Sequence, residues 1–414
     1  MDPVRRVGSR APLITVVAVL FALLLSLLPG ATLGAGWTSL QRVTDAPGSR
    51  LDSLHQLSSD RGTLHLVHPR IGPGLTDDRV IYQRSEDAGA NWSDPATLFE
   101  ATQTRRSVVP NLALAARAGV VIVAWRVDGP EEHVLFVRIS RDGGRSFRKR
   151  EVLFSTRQDA GIGVPAVVVA EGGRVIAVAW TDRANGRIKL RTSRNRGRTF
   201  GQARVLGRTR LTIDCRTDLT DGLVGLAASD RVIHAAWSES PKRQCQASSV
   251  MARTSDDRGR TWSAARTVTQ RRSYGWPELA ARGSTVLATV QSTTGGIIVS
   301  RSGDAGGSWD DRLVKAPAGH SFSAADVVLL PGGKAMITYV NETVRRSRLT
   351  ATKVVTRWSP DDGATLRQPK AVTTEARRLR MAANIAAVRK DVTIVVQSGP
   401  LSGTPRNVFV TRRR

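Results

Sequence analysis

Six copies of one eight-residue pattern run through the chain: SEDAGANW from Ser85, SRDGGRSF from Ser140, SRNRGRTF from Ser193, SDDRGRTW from Ser255, SGDAGGSW from Ser302 and SPDDGATL from Ser359. Each opens on Ser, carries Asp or Asn two residues on and Gly four on, and closes seven on with an aromatic, or Leu in the last copy. Successive starts are 55, 53, 62, 47 and 57 residues apart. A unit of this length cannot bury its apolar faces alone, so the fold must be an array in which neighbours cover one another. The period is too long for a helical solenoid and suits one four-stranded blade of a β-propeller.

The residue types fit a tight β-turn. The Asp or Asn side chain can accept hydrogen bonds from turn amides, Gly supplies positive φ, and the aromatic can wedge between adjacent sheets. Apolar runs precede each copy, from Val121 to Trp125, Val175 to Trp180 and Val232 to Trp237, with the same slot ending in Gln291, Tyr339 and Gln397. Alternation such as Val134-Leu135-Phe136-Val137-Arg138-Ile139 then leads into the Ser and reads as a strand with one buried face. A short outer strand follows, as at Glu151 to Phe154, and a more continuous apolar run such as Val164 to Ala170 is the expected inner strand.

Seven such units can be counted. Leu64 to His68 opens the first, and Val392 to Gln397 with Val408 to Thr411 form a seventh that lacks a motif copy and an outer strand. The segment Trp37 to Thr44 parallels Trp262 to Thr269, an outer-strand position. The expectation is an all-β, seven-bladed propeller over residues 36–414, with an N-terminal strand closing the last blade so that no sheet edge stays open.

The repeated motif resembles the Asp box of the sialidase (BNR-repeat) superfamily, over about residues 36 to 414. On that resemblance Asp87, Asp142, Asn195, Asp257, Asp304 and Asp361 are structural box residues. Catalytic sialidases have six blades, so a six-bladed, sialidase-like ring is the alternative architecture. The resemblance also implies a chemistry: guanidinium groups clamp a sugar carboxylate, a Tyr activated by a Glu attacks the anomeric carbon, and an Asp serves as acid and base. Tyr274, at an inner-strand start, with Glu239 of the adjacent blade resembles the nucleophile pair, and Asp77 or Asp78 is the acid candidate. Arg70, Arg106, Arg126 and Arg345 are ligand-binding candidates by location, with Trp276 as an aromatic contact. The family's Arg-Ile-Pro signature is missing, since the chain offers only His68-Pro69-Arg70-Ile71 in another strand position and Arg106 four residues before Pro110.

The first 35 residues are different material. Arg5, Arg6 and Arg10 precede an uncharged run from Ala11 to Gln41 whose apolar heart is Leu13 to Leu28. This is the layout of a secretory signal or of a retained anchor over residues 11–34, and it predicts an extracytoplasmic propeller, secreted or membrane-anchored. Cys215 and Cys245 are the only cysteines, and both fall in loops of the fourth blade, where export would permit a disulfide. No His, Cys and carboxylate spacing points to a metal, no motif points to a cofactor, and a monomer is expected.

The chain carries 62 Lys and Arg against 35 Asp and Glu, a net charge of +27. That field favours an anionic glycan or cell-envelope polymer, although 54 of the 62 cations being Arg also fits genome composition alone. The Arg residues are scattered and no nucleic-acid motif accompanies them. Three functions follow as expectations: a glycan- or protein-binding module working through its loop face, an exo-sialidase-type glycoside hydrolase acting on acidic sugars, and a cell-envelope scaffold or adhesion protein.

Overall fold

The computed structural model describes residues 36–45, 51–52, 55–72, 78–101, 107–157, 161–209, 224–240, 247–388, 391–401 and 406–413. Seven antiparallel sheets follow one another around a ring, each running from an inner to an outer strand. Blade 1 holds Gln56–Asp60, Thr63–Ile71, Arg79–Ser85 and Ala96–Glu100, with Leu51–Asp52 also pairing its second strand. Blade 2 holds Ser107–Arg117, Val120–Asp128, His133–Ser140 and Glu151–Thr156. Blade 3 holds Ala166–Ala170, Val175–Asp182, Arg187–Ser193 and Arg204–Arg208, and blade 4 holds Val224–Ser229, Val232–Glu239, Ser249–Ser255 and Arg266–Thr269. Blade 5 holds Ser273–Arg282, Thr285–Ser292, Ile297–Ser302 and Asp310–Val314, and blade 6 holds His320–Leu330, Lys334–Arg345, Arg348–Ser359 and Lys370–Ala371. Blade 7 is built from Leu379–Val388, Asp391–Gly399 and Asn407–Arg412, and its outer strand is the N-terminal Gln41–Arg42.

That last pairing closes the ring. Gln41 lies opposite Val410 and Arg42 opposite Phe409, and Trp37 bridges Arg413. Thr38 reinforces the seam: its N–H donates to the Arg412 carbonyl at 2.9 Å, and its hydroxyl accepts the Arg412 N–H at 2.9 Å. Seven sheets replace the six-bladed alternative, because the two ends of the described chain together make one full blade.

The boxes are turns between the third and outer strands, and all six share one bonding scheme. The Ser hydroxyl donates to the carboxylate or amide oxygen two residues on, at 2.6–2.9 Å. The Ser Oγ itself accepts the N–H of the Gly four residues on, at 2.7–2.9 Å. In the second box Asp142 then accepts the backbone N–H groups of Arg145 and Ser146 at 3.0 and 2.9 Å. Ser and Asp together neutralise the turn's donors, so the turn needs no water or neighbour to satisfy it.

The Gly has a second job. In every box it has φ between 70° and 92° and presses on the preceding blade. A Cβ on Gly144 would lie 1.8 Å from the Tyr82 hydroxyl oxygen, and one on Gly197 would lie 2.2 Å from Ile139. The closing aromatic reaches the same way: Phe147 packs edge-on against Tyr82 at 4.8 Å, and Phe200 joins the layer containing Val137 and Ile139. Trp92, Trp262, Trp309 and Leu366 likewise sit in the apolar layers that join blades 7 and 1, 3 and 4, 4 and 5, and 5 and 6. Trp125, Trp180 and Trp237 at the far ends of the second strands are fully buried and fill the equivalent interblade space.

Three histidines are sealed inside this packing. His55 meets the Val395 carbonyl at 2.9 Å, His65 the Tyr82 hydroxyl at 2.7 Å, and His234 the Thr254 hydroxyl at 3.0 Å. Burial lowers all three to about 4, so they are neutral at pH 7. The box carboxylates are shifted by hydrogen bonding. The Ser308 N–H with the Ser308 and Ser302 hydroxyls holds Asp304 down to about 2, and against some desolvation the corresponding bonds hold Asp142 and Asp361 there too.

Two outcomes follow. Gly144→Ala should cost more than about 3 kcal/mol in urea unfolding, from positive φ and overlap together. Gly172→Ala, with φ 57° and open space around it, should cost only about 1 kcal/mol. The thermal midpoint should be flat between pH 7 and about 9 and fall from about pH 6.5 towards 4, because the unfolded chain protonates three histidines that the folded one keeps neutral, a loss that outweighs the opposite effect of the raised Asp326 and Glu342 carboxyls. It should fall again between about pH 4 and 2 as the box carboxylates lose their bonded, charged form. His234→Leu should flatten the upper limb, as read by circular dichroism melts across pH.

Candidate functional site

The strand directions put the boxes on one face and gather on the other the starts of the inner strands and the loops between second and third strands. Below that loop face, the inner strands of all seven blades line a central cavity of about 210 Å³, with Gln56, Leu114, Val167, Leu226, Glu278 and Asp326 among its walls. Asp326 is an interblade tie: it accepts the N–H of Val327 at 2.7 Å, of Ile385 at 3.0 Å and the Asn384 amide at 3.3 Å. Burial pushes its carboxyl up from the usual range.

Around the rim, polar side chains pair within and between blades. Arg126 is buried, donating to the Asp128 carboxylate at 2.8 Å and to the Ile162 carbonyl of blade 3's entering segment. The other Asp128 oxygen meets His133 Nδ1 at 2.7 Å, and the His133 ring lies against Gly161. In blade 3 Asp182 is buried, and Lys189 at 2.6 Å with the Asn185 amide at 3.1 Å outweighs the effect of desolvation and lowers its carboxyl. In blade 6 Ser323 donates to Glu342 at 2.5 Å, yet burial still raises Glu342 above the ordinary range. His320 meets the Asn341 side chain at 3.0 Å beside it.

The sequence candidates separate into three groups. Glu239 and Tyr274 are brought to one seam: Ser238 donates to the Gly275 carbonyl at 2.6 Å, and the Ala247 and Ser273 backbones bond reciprocally at 3.0 and 3.2 Å. Tyr274 lies opposite Gln291 in its strand, and Trp276 falls within the bulge that follows. One Glu239 oxygen accepts the Trp237 indole N–H at 3.2 Å. Asp78 and Arg126 are turned to internal duty: Asp78 is fully buried and accepts the Gly72 N–H at 3.2 Å, and Arg126 is held as described. Arg70 is half-buried with its guanidinium towards the Asp45 carbonyl at 3.5 Å, and Arg345 is exposed at the end of a blade 6 strand. Asp77, Arg106, Cys215 and Cys245 lie outside the described residues, as do residues 1–35.

Sequence reasoning left Asp326 and Asn384 without a role. Nothing in the sequence shows that strands of successive blades meet there. Arg380 looks like one more surface Arg, but it is buried and donates to the Thr352 and Thr374 carbonyls at 2.6 and 2.8 Å. Among the described residues no helix is long and apolar enough to cross a membrane, and no group of three or more His, Cys, Asp or Glu is placed to hold a metal ion.

Fold and rim together define an Asp-box β-propeller with a polar, arginine-bearing loop face. Over residues 25–212 the chain matches the BNR repeat-like domain family, in line with its Asp boxes and propeller fold. Comparison with curated protein sequences gives no match. Among solved structures, the endosialidase of phage phi92 is similar with TM-score 0.53 and 9% identity, over 91% of this chain and 69% of that one. The NanB sialidase from Streptococcus pneumoniae gives 0.51 and 12%, over 92% and 70%. The intramolecular trans-sialidase from Ruminococcus gnavus gives 0.50 and 12%, over 93% and 98%. At such identities the likeness is one of fold.

The Ser323 bond favours the charged form of Glu342 while burial opposes it. Ser323→Ala should therefore raise the Glu342 pKa further, read by carbon-13 NMR titration of the labelled carboxyl, with the melting midpoint little changed at pH 7.

Proposed function

We propose that this protein is a ligand-binding propeller that takes a glycan on its loop face without hydrolysing it. The observation that carries this reading is the internal engagement of Arg126 and Asp78, the residues that the sequence offered as part of a carboxylate clamp and as an acid. A clamp must present its guanidinium fork to the ligand, and a general acid must reach the glycosidic oxygen. Neither buried side chain does so. Trp276, at a blade 5 bulge on the same rim, supplies an aromatic of the kind that stacks on a sugar ring. The apolar segment and flanking arginines of residues 1–35 support export to a compartment rich in such ligands.

Hydrolysis is the second reading, and the Ser238 to Gly275 seam that brings Glu239 beside Tyr274 favours it. One experiment separates the two. The full chain is incubated with a fluorogenic α-sialoside and then profiled on a glycan array. The binding reading expects no fluorophore release above buffer and saturable array binding that weakens at least tenfold in Trp276→Ala. Release that collapses in Tyr274→Phe would establish the hydrolase instead.

A further inference from the structure

We propose that the second and third strands of blade 6 form an arginine-tipped arm that binds an anionic polysaccharide. The pairing of this hairpin is longer than that of any other blade. It runs from Ala335 opposite Ser359 to Arg345 opposite Arg348, eleven positions (335 to 345), where the equivalent ladder of blade 3 covers seven (Ile176 to Asp182). The box end is common to both, so the four extra positions extend the loop-face end by about 13 Å. On the inner side only His320–Ser323 follows it up, and its last pairing is His320 opposite Thr343, short of the tip.

The tip is Arg345-Arg346-Ser347-Arg348, and all four residues are exposed. Arg346 and Ser347 have φ of 46° and 60°, the two left-handed positions of a type I′ turn, where Asn-Gly is the favoured occupant. Holding an Arg there costs backbone energy that a stability-driven sequence would avoid. Arg377 and Arg378, also exposed, are fastened to the same hairpin: Thr352 and Ala376 bond reciprocally through their backbones at 3.0 and 3.2 Å, and the Thr352 hydroxyl donates to the Arg378 carbonyl at 2.6 Å.

No ion pair among the described residues reaches these five cations, because the neighbouring acids are committed elsewhere. Glu342 is bonded by Ser323, and Glu375 is bonded by Thr343 at 2.6 Å and paired with Lys353 at 3.5 Å. Thr352 lies four positions along the strand from the tip residue Arg348, so the charges are spread over roughly 13 Å. That spread suits a ligand with repeated anionic groups, and the guanidinium fork suits carboxylate and sulfate oxygens. From Val340 to Thr352 the arm has no aromatic residue, which removes the base-stacking contact that single-stranded nucleic acid uses.

The inference extends the reading of this face as a binding face but uses different residues, so either can fail alone. The test measures binding of the full chain to heparin, a sulfated polysaccharide, at low and at physiological salt. The triple variant Arg345→Ser, Arg346→Ser, Arg348→Ser should bind at least tenfold more weakly. A control triple of equal charge loss, Arg198→Ser, Arg260→Ser, Arg266→Ser, exposed on blades 3 and 4, should change affinity less than twofold. The double variant Arg346→Asn, Ser347→Gly should raise the melting midpoint by relieving the turn and still weaken heparin binding about threefold. Equal loss in both triples, no heparin binding at all, or unchanged binding in the double variant would overturn the proposal. An RNA of equal charge that competes as well as heparin would overturn its assignment to polysaccharide.

Discussion

The ring depends on one repeated contact, a box glycine pressed into the preceding blade. Positive φ lets the turn reverse in so few residues, and the missing Cβ lets the turn touch Tyr82, Ile139, Thr192, Thr254 or Leu287 of the sheet before it. The Ser and Asp of the same turn satisfy its donors internally, so the contact face can be apolar. The closing aromatic then enters the interblade layer. Each box thus fixes its own turn and one blade-to-blade interface, and six boxes fix six of the seven interfaces.

The seventh needs a different device, since blade 7 has no box. There, between blades 6 and 7, Trp37 of the N-terminal segment enters the apolar layer with Met336, Val354 and Ile394, while within blade 7 the Thr411 hydroxyl donates to the Thr38 carbonyl at 2.7 Å. Polar ties supplement the apolar layers elsewhere. Asp60 of blade 1 accepts the Ala118 and Gly119 N–H groups of blade 2 at 2.8 and 2.7 Å, and Asp326 does the same for blade 7. Carboxylates held between sheets in this way are costly without partners and specific with them. They help to set the angle between neighbouring sheets.

With interblade geometry fixed on the box face, the loop face is free to vary. In blades 2 and 3 Arg126, Asp128, His133, Asp182 and Lys189 are committed to partners within the rim. Blade 6 instead grows outward and exposes cations that pair with no acid among the described residues. The strong positive charge of the chain is therefore spent in two ways, as internal bonding near the channel mouth and as a presented array on the arm.

Much of the architecture was legible in the sequence. The six motif copies, the slots ending in Trp125, Trp180 and Trp237, and the likeness of Trp37 to Thr44 to an outer strand determined the blade count and the closure, because turn chemistry and strand alternation act over a few residues. The candidate site was legible only in outline. Sequence position brought Glu239 and Tyr274 to one face, and the folded chain joined their strands through Ser238 and Gly275. That Asp78 and Arg126 face inward, that Asp326 ties two blades, and that the run Arg345 to Arg348 stands clear of the sheet were decided by tertiary structure alone. Burial and pairing of a polar side chain depend on which strand of another blade lies against it, and that neighbour is tens or hundreds of residues away in the chain.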